Sequence, residues 1–138
     1  MIGLDTNVLA RYYVADTADA ESARQREAAR RLIDSGAPLA VSKTALLELE
    51  WVMRGYYEFD PGRILRALRH LLALPYVEIE DRAAVEAALS HYESGLDFAD
   101  AMHHAAYRQC RAMATFDDRR FARRAKRMGL TPPVVQPT

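Results

Sequence analysis

Short apolar runs that end in an acid or a helix cap alternate along this chain with longer segments of helical periodicity. Met1-Ile-Gly-Leu-Asp5 is too brief for a helix before its acid and predicts a buried strand stopping at Asp5. A helix follows from Asn7, with Thr6 or Asn7 as its cap. Ala20 to Asp34 is rich in Ala, Glu and Arg and predicts a second helix, stopped by Ser35-Gly36. Pro38 to Val41 predicts a strand, and Ser42 or Thr44 caps a helix over about Ala45 to Gly55 that carries Glu48 and Glu50. Asp60-Pro61 is a cap followed by proline at the first helical position. The helix it opens, to about Ala73, sets Ile64, Leu65, Leu68, Leu71 and Leu72 at core-facing spacing. Tyr76-Val-Glu-Ile alternates as a strand does, and Asp81 caps a helix to about Tyr92. Beyond Gly95, Asp97 to Cys110 is helical, Met113 to Phe116 is a strand ending at Asp117, and a basic helix runs from about Arg119 to Met128, closed by Gly129. Val134-Val135, among three prolines, predicts an edge strand.

Strands alternating with helices imply an α/β fold with a parallel sheet covered on both faces. A chain of 138 residues without repeat or linker predicts one domain over 1–138. Lys plus Arg and Asp plus Glu both number 19, which excludes a globally basic nucleic-acid protein but leaves local fields open. Cys110 is the only cysteine, so neither an internal disulfide nor a cysteine-rich zinc site is available. No apolar run approaches the ~20 residues of a membrane span. With no signal-like start, the cytoplasm is the expected address.

In an open parallel sheet, ligands bind beyond the carboxyl ends of the strands. Two predicted strands end there in an aspartate, Asp5 and Asp117, and helices facing that edge carry Glu48 and Asp100. Two unit charges ~5 Å apart repel by about 3 kcal/mol at an effective dielectric of ~20, so gathered carboxylates need protons, arginines or a hard cation. An all-oxygen set suits Mg²⁺ or Mn²⁺, and an acid-lined divalent site is the usual apparatus of phosphodiester hydrolysis.

Each acid also has a purely structural reading. Asp5 serves equally as a cap, Asp97 is favoured as one, and Asp117 and Asp118 fit a turn. Glu48 lies among Leu46, Leu47, Leu49 and Val52, so its structural alternative is a buried pair with arginine. From Arg108 to Arg127, eight cations stand against Asp117 and Asp118, a local charge of +6 in a neutral chain. Arg119, Arg120 and Arg123 are the candidate phosphate contacts, with a solvated helix face as the alternative. Arg24, Arg30 and Arg31 form a weaker patch. His104 is expected packed rather than ligating, Cys110 buried, and most of Trp51, Met53, Tyr56, Tyr57 and Phe59 in the core, with a partner-binding groove as the alternative for some of them.

The ordered set Met-Ile-Gly-Leu-Asp5-Thr-Asn-Val-Leu, Leu-Leu-Glu48-Leu, Asp97-Phe-Ala-Asp100-Ala and Ala-Thr115-Phe-Asp117 resembles the PIN-domain nucleases, and most nearly the VapC-type toxins of type II toxin–antitoxin pairs. The resemblance implies a three-layer α/β/α fold around a central, mainly parallel sheet of four to five short strands. It implies Asp5, Glu48, Asp100 and Asp117 as the catalytic and metal-binding acids for one or two Mg²⁺ or Mn²⁺ ions, with Asn7 and Thr115 orienting them. Asp97 competes with Asp100, which is preferred for its place in the Asp-Ala pair. The implied activity is an endoribonuclease that arrests translation, dimerises, and is plugged by a VapB-type antitoxin. Two other readings stand beside it: a PIN-like nuclease outside such a pair, and a non-catalytic RNA- or protein-binding module. A dehalogenase-like phosphatase, which also uses an aspartate after its first strand, wants a second acid where this chain has Asn7.

Overall fold

Every helix in the first eighty residues starts at a side chain that accepts a hydrogen bond from one of the helix's unpaired amides. In the computed structural model, which describes residues 1–15 and 18–138, these caps are Asp5, Asp19, Ser42 and Asp60. The chain resolves into two units, Met1–Glu80 and Asp81–Thr138.

The first unit runs β1 (Ile2–Gly3), α1 (Thr6–Tyr13), α2 (Ala20–Ile33), β2 (Leu39–Val41), α3 (Lys43–Gly55), α4 (Pro61–Ala73) and β3 (Val77–Ile79). Its strands pair in parallel in the order β1-β2-β3, with Ile2 opposite Leu39 and Leu39 opposite Val77. Each crossover uses two helices, so all three strands deliver their carboxyl ends to the same edge. Leu9, Ile33, Leu39, Leu46, Leu49, Met53, Ile64, Leu68 and Leu71 are fully buried, and each such side chain stabilises by about 1.5–3 kcal/mol. Tyr12 donates to Asp34 (2.6 Å) and the Tyr13 hydroxyl meets His70 Nδ1 (2.8 Å), tying α1 to the end of α2 and to α4. Burial, then the Asp34 carboxylate, pushes the Tyr12 phenol up to about 12, so it stays a donor at any ordinary pH. The expected burial of the first strand is not found. Ile2 and Gly3 are exposed on an edge strand of this sheet, and Leu4 is the residue that turns inward.

The second unit runs α5 (Arg82–Glu93), α6 (Phe98–Ala106), β4 (Met113–Ala114), a π-helical turn (Asp118–Ala122) that continues into α7 (Arg123–Met128), and β5 (Val134–Val135). Small residues let α5 and α6 pack closely, with Ala84, Ala88, Ala101 and Ala105 buried and the Tyr92 and Phe98 rings 5.3 Å apart, edge to face. β4 and β5 pair in parallel, Met113 opposite Val134. Gly129 takes the left-handed conformation that closes α7 (φ 66°), as its place after a basic helix predicts.

The fold is α/β: five short strands among the described residues, every pairing parallel, in sheets of three and two. Three local expectations are corrected. Asp81 precedes α5 in a left-handed conformation (φ 49°) without capping it; its carboxylate instead takes two Arg108 N–H bonds, at 2.9 and 3.1 Å. Cys110 is exposed, because α6 ends at Ala106 and leaves it in the turn beyond. Trp51 and Tyr56 are exposed as well, Trp51 on the side of α3 opposite its buried residues and Tyr56 at the cap beyond its end. Among the described residues no helix is long and apolar enough to cross a membrane.

Candidate active site

Asp5 stands just past the end of β1, where its backbone ends the strand and its side chain begins α1. Oδ1 accepts the Thr6 amide at 2.7 Å, so the capping reading and a position at the sheet's carboxyl edge hold together. It lines two openings. One, about 590 Å³, lies at the carboxyl ends of the sheet and includes Ser42 and Glu80. The other, also about 590 Å³, brings Asp5 together with Thr6, Asn7, Arg11, Glu48, Trp51 and Tyr56. Glu48 is exposed in that opening, whereas Glu50, two positions on, is 2% exposed and takes Arg54 Nε at 2.9 Å. The buried carboxylate–arginine pair foreseen for Glu48 therefore belongs to Glu50. A helix turns 100° per residue, so a two-residue step moves a side chain to nearly the opposite face.

In the second unit, Asp97 begins α6 and accepts the Asp100 amide at 3.1 Å. Asp117 begins the π-helical turn and accepts the Arg120 amide at 3.1 Å, while its own amide donates to Thr115 Oγ1 at 3.1 Å. Thr115 thus fixes the backbone from which Asp117 projects. Partial burial, then the negative charges of Asp97 and Asp117, raises the Asp100 carboxyl above the ordinary aspartate range; His103 and Arg124 act against this. Arg124 is held by the Gly95 carbonyl at 3.0 Å. Arg119, Arg120 and Arg123 are exposed on the same basic segment. Only a loose 3.7 Å contact joins Arg123 to Asp118, worth little in water. His104 is buried with Nε2 2.8 Å from the Pro132 carbonyl, which accounts for it structurally.

Two features of the site went unseen in the sequence. Glu80 ends β3 as Asp5 ends β1, and its carboxylate accepts the Lys43 amide at 2.8 Å; an acid directly after Val-Glu-Ile was the signal. Arg124, which with His103 acts against the shift at Asp100, is one of eight cations in its segment, and nothing in the pattern distinguishes it.

The PIN domain family model matches residues 2–127, nearly the whole chain and both units. The chain belongs to the PIN domain family. No match was found among curated proteins. PIN domains are generally metal-dependent nucleases acting on RNA or other nucleic acid, and a PIN nuclease needs oxygen donors for a hard cation. Among the described residues no three His, Cys, Asp or Glu side chains stand gathered as a metal cage. The donor chemistry nonetheless fits. Every candidate is a carboxylate, and the charge on Asp100 is disfavoured by partial burial and then by its acidic neighbours, which a cation would offset. Thr6 Oγ1, which belongs to the residue next to Asp5, is buried and has no hydrogen-bond partner among the described residues. A buried hydroxyl without a partner beside an acid is where an ordered water or a ligand atom is expected.

Proposed function

We propose that this PIN domain is a metal-dependent endoribonuclease, acting as one domain over residues 1–138, with Asp5, Glu48, Asp100 and Asp117 as its catalytic acids. The observation that carries the reading is the family match over 2–127, a span that includes all four acids. Asp5, Asp100 and Asp117 would hold Mg²⁺ or Mn²⁺, with Glu48 completing the set and Asp97 able to join it. When bound, the cation polarises the scissile phosphate and lowers the pKa of the attacking water.

The chain's own groups do the rest. Glu48 holds the water for in-line attack on phosphorus, and the P–O3′ bond breaks to leave a 5′-phosphate and a 3′-hydroxyl. Asn7 and Thr115 keep Asp5 and Asp117 in place. Arg119, Arg120 and Arg123 bind flanking phosphates through their planar forks.

The VapC-like order of motifs supports a finer reading: a cytoplasmic toxin that inhibits translation, works as a homodimer, and is neutralised by a VapB-type antitoxin whose cation enters the acidic site. Purified protein should cut total cellular RNA into discrete 5′-phosphorylated fragments with Mg²⁺ or Mn²⁺. Cutting should stop with EDTA and in Asp5→Asn and Asp100→Asn. Cleavage that survives both substitutions would overturn the assignment.

A further inference from the structure

Trp51 is the only tryptophan of the chain, and it is 64% exposed. It follows Glu48 by three residues on α3, which places both on one face of the helix. The buried residues of α3 are Ala45, Leu46, Leu49, Glu50 and Met53, so the core contacts of this helix are made elsewhere on it. Tyr56, 74% exposed, caps the end of α3, and its ring stands edge to face with Tyr57 at 4.7 Å. Both aromatics line the opening that holds Asp5 and Glu48, and Arg11 lines it too. Two large aromatic side chains left in water beside the candidate catalytic acids, with a cation alongside, form a surface that waits for a flat apolar ligand carrying negative charge.

We propose that Trp51 and Tyr56 form a stacking site for an unpaired nucleobase of single-stranded RNA, adjacent to the phosphodiester that Asp5 and Glu48 address. This rests on the nuclease reading: a chain brought to those two acids enters the opening they line, and the nucleotide next to the scissile bond meets the aromatics. Aromatic faces take any base, which suits an enzyme needing a splayed, single-stranded target. Arg11 supplies the positive charge that the adjoining phosphate requires. The two acids of the opening outnumber Arg11, so further attraction there comes from the base, and stacking is the attraction the aromatics can provide.

The lone tryptophan is its own reporter. In EDTA, where turnover stops, a short oligoadenylate should quench Trp51 fluorescence saturably, and an abasic oligomer of equal length should not. Binding of labelled oligoadenylate, read by anisotropy, should weaken about 10-fold in Trp51→Ala and in Tyr56→Ala. Trp51→Phe, which keeps a ring, should retain most of the affinity, and Tyr107→Ala, an exposed aromatic outside this opening, should change nothing. With Mg²⁺, the two alanine variants should raise KM and leave kcat near wild type. Equal quenching by the abasic oligomer, or unchanged binding in both alanine variants, would overturn the proposal. Quenching by a basic amphipathic peptide with no response to either oligomer would give the surface to a protein partner and overturn it too. The two readings also fail separately. Cleavage without base-dependent quenching removes the stacking site and leaves the nuclease; base-dependent quenching without cleavage in any metal removes the nuclease and leaves the stacking site.

Discussion

Residues 1–80 and 81–138 solve different problems with different residues. The first region has ten cations against twelve anions, the second nine against seven. The first is built on large aliphatic side chains in α1 to α4, and it shapes an opening in which Asp5 and Glu48 stand beside exposed aromatics. The second packs its helices through alanines and gathers charge: a partly buried Asp100 faces the charges of Asp97 and Asp117, with His103 and Arg124 acting against them, and the same unit carries an exposed arginine segment. One region supplies shape and the other supplies field. A formal charge of zero conceals this, because composition averages over the two.

The comparison breaks most visibly if one region's acids are dispensable. Asp5→Asn in the first region and Asp100→Asn in the second should each lower kcat/KM for RNA cleavage by more than the ~100-fold at which outer-shell changes around a metal top out. Full activity in either variant would show that one region suffices. Salt dependence separates shape from field. Replacing Arg119, Arg120 and Arg123 together by Gln should reduce the slope of log affinity against log salt by roughly 2, since each single-strand phosphate contact contributes about 0.7. Trp51→Ala should weaken binding and leave that slope unchanged.

Stability should follow burial rather than the number of ion pairs. Arg54→Ala removes a partner from Glu50, which is 2% exposed, and should cost about 1–3 kcal/mol in chemical denaturation. Arg24→Ala breaks a pair with Glu21 that is exposed on both sides, and should stay within about 1 kcal/mol.

The smallest effect is a test by pH. The Asp100 carboxyl is raised in the folded protein, so the metal-free native state holds that proton more tightly than the unfolded chain does. Its contribution is fully present in acid and is lost as pH rises from the ordinary 3.8 of an aspartate through the raised folded value. Asp100→Asn should therefore melt above wild type in EDTA at pH 7, with the gap closing in acid. An inactive variant that is also the more stable one is the mark of a charge held for function.

What the sequence disclosed follows from the range of each signal. Asp60-Pro61 and Gly129 mark helix ends because caps and left-handed glycines act within a few residues, and α4 and α7 begin and end where these predict. The four proposed acids form an ordered set in the sequence, and two of them, Asp5 and Asp117, also cap a helical segment, as Asp97 does. The buried arginine pair weighed as the alternative for Glu48 belongs to Glu50, because α3 carries apolar residues around most of its circumference, which hides its phase. Most of the cluster from Trp51 to Phe59 was expected in the core by residue type, but helix phase puts Trp51 in water and the end of α3 leaves Tyr56 there. Asp81 was mistaken for a cap because its partner, Arg108, is 27 residues away. Strands of two or three residues leave too little alternation to tell an exposed edge from a buried centre, as Ile2 and Gly3 show.

The proposal that Asp5, Glu48, Asp100 and Asp117 hold Mg²⁺ or Mn²⁺ is tested most directly by Mn²⁺ binding, without any substrate. Titration of the full chain with Mn²⁺, followed by electron paramagnetic resonance of the free ion, should show binding in the wild type. The proposal predicts that binding weakens markedly in Asp5→Asn and in Asp100→Asn alike. Weakening confined to Asp100→Asn, with Asp5→Asn binding as the wild type does, would contradict it.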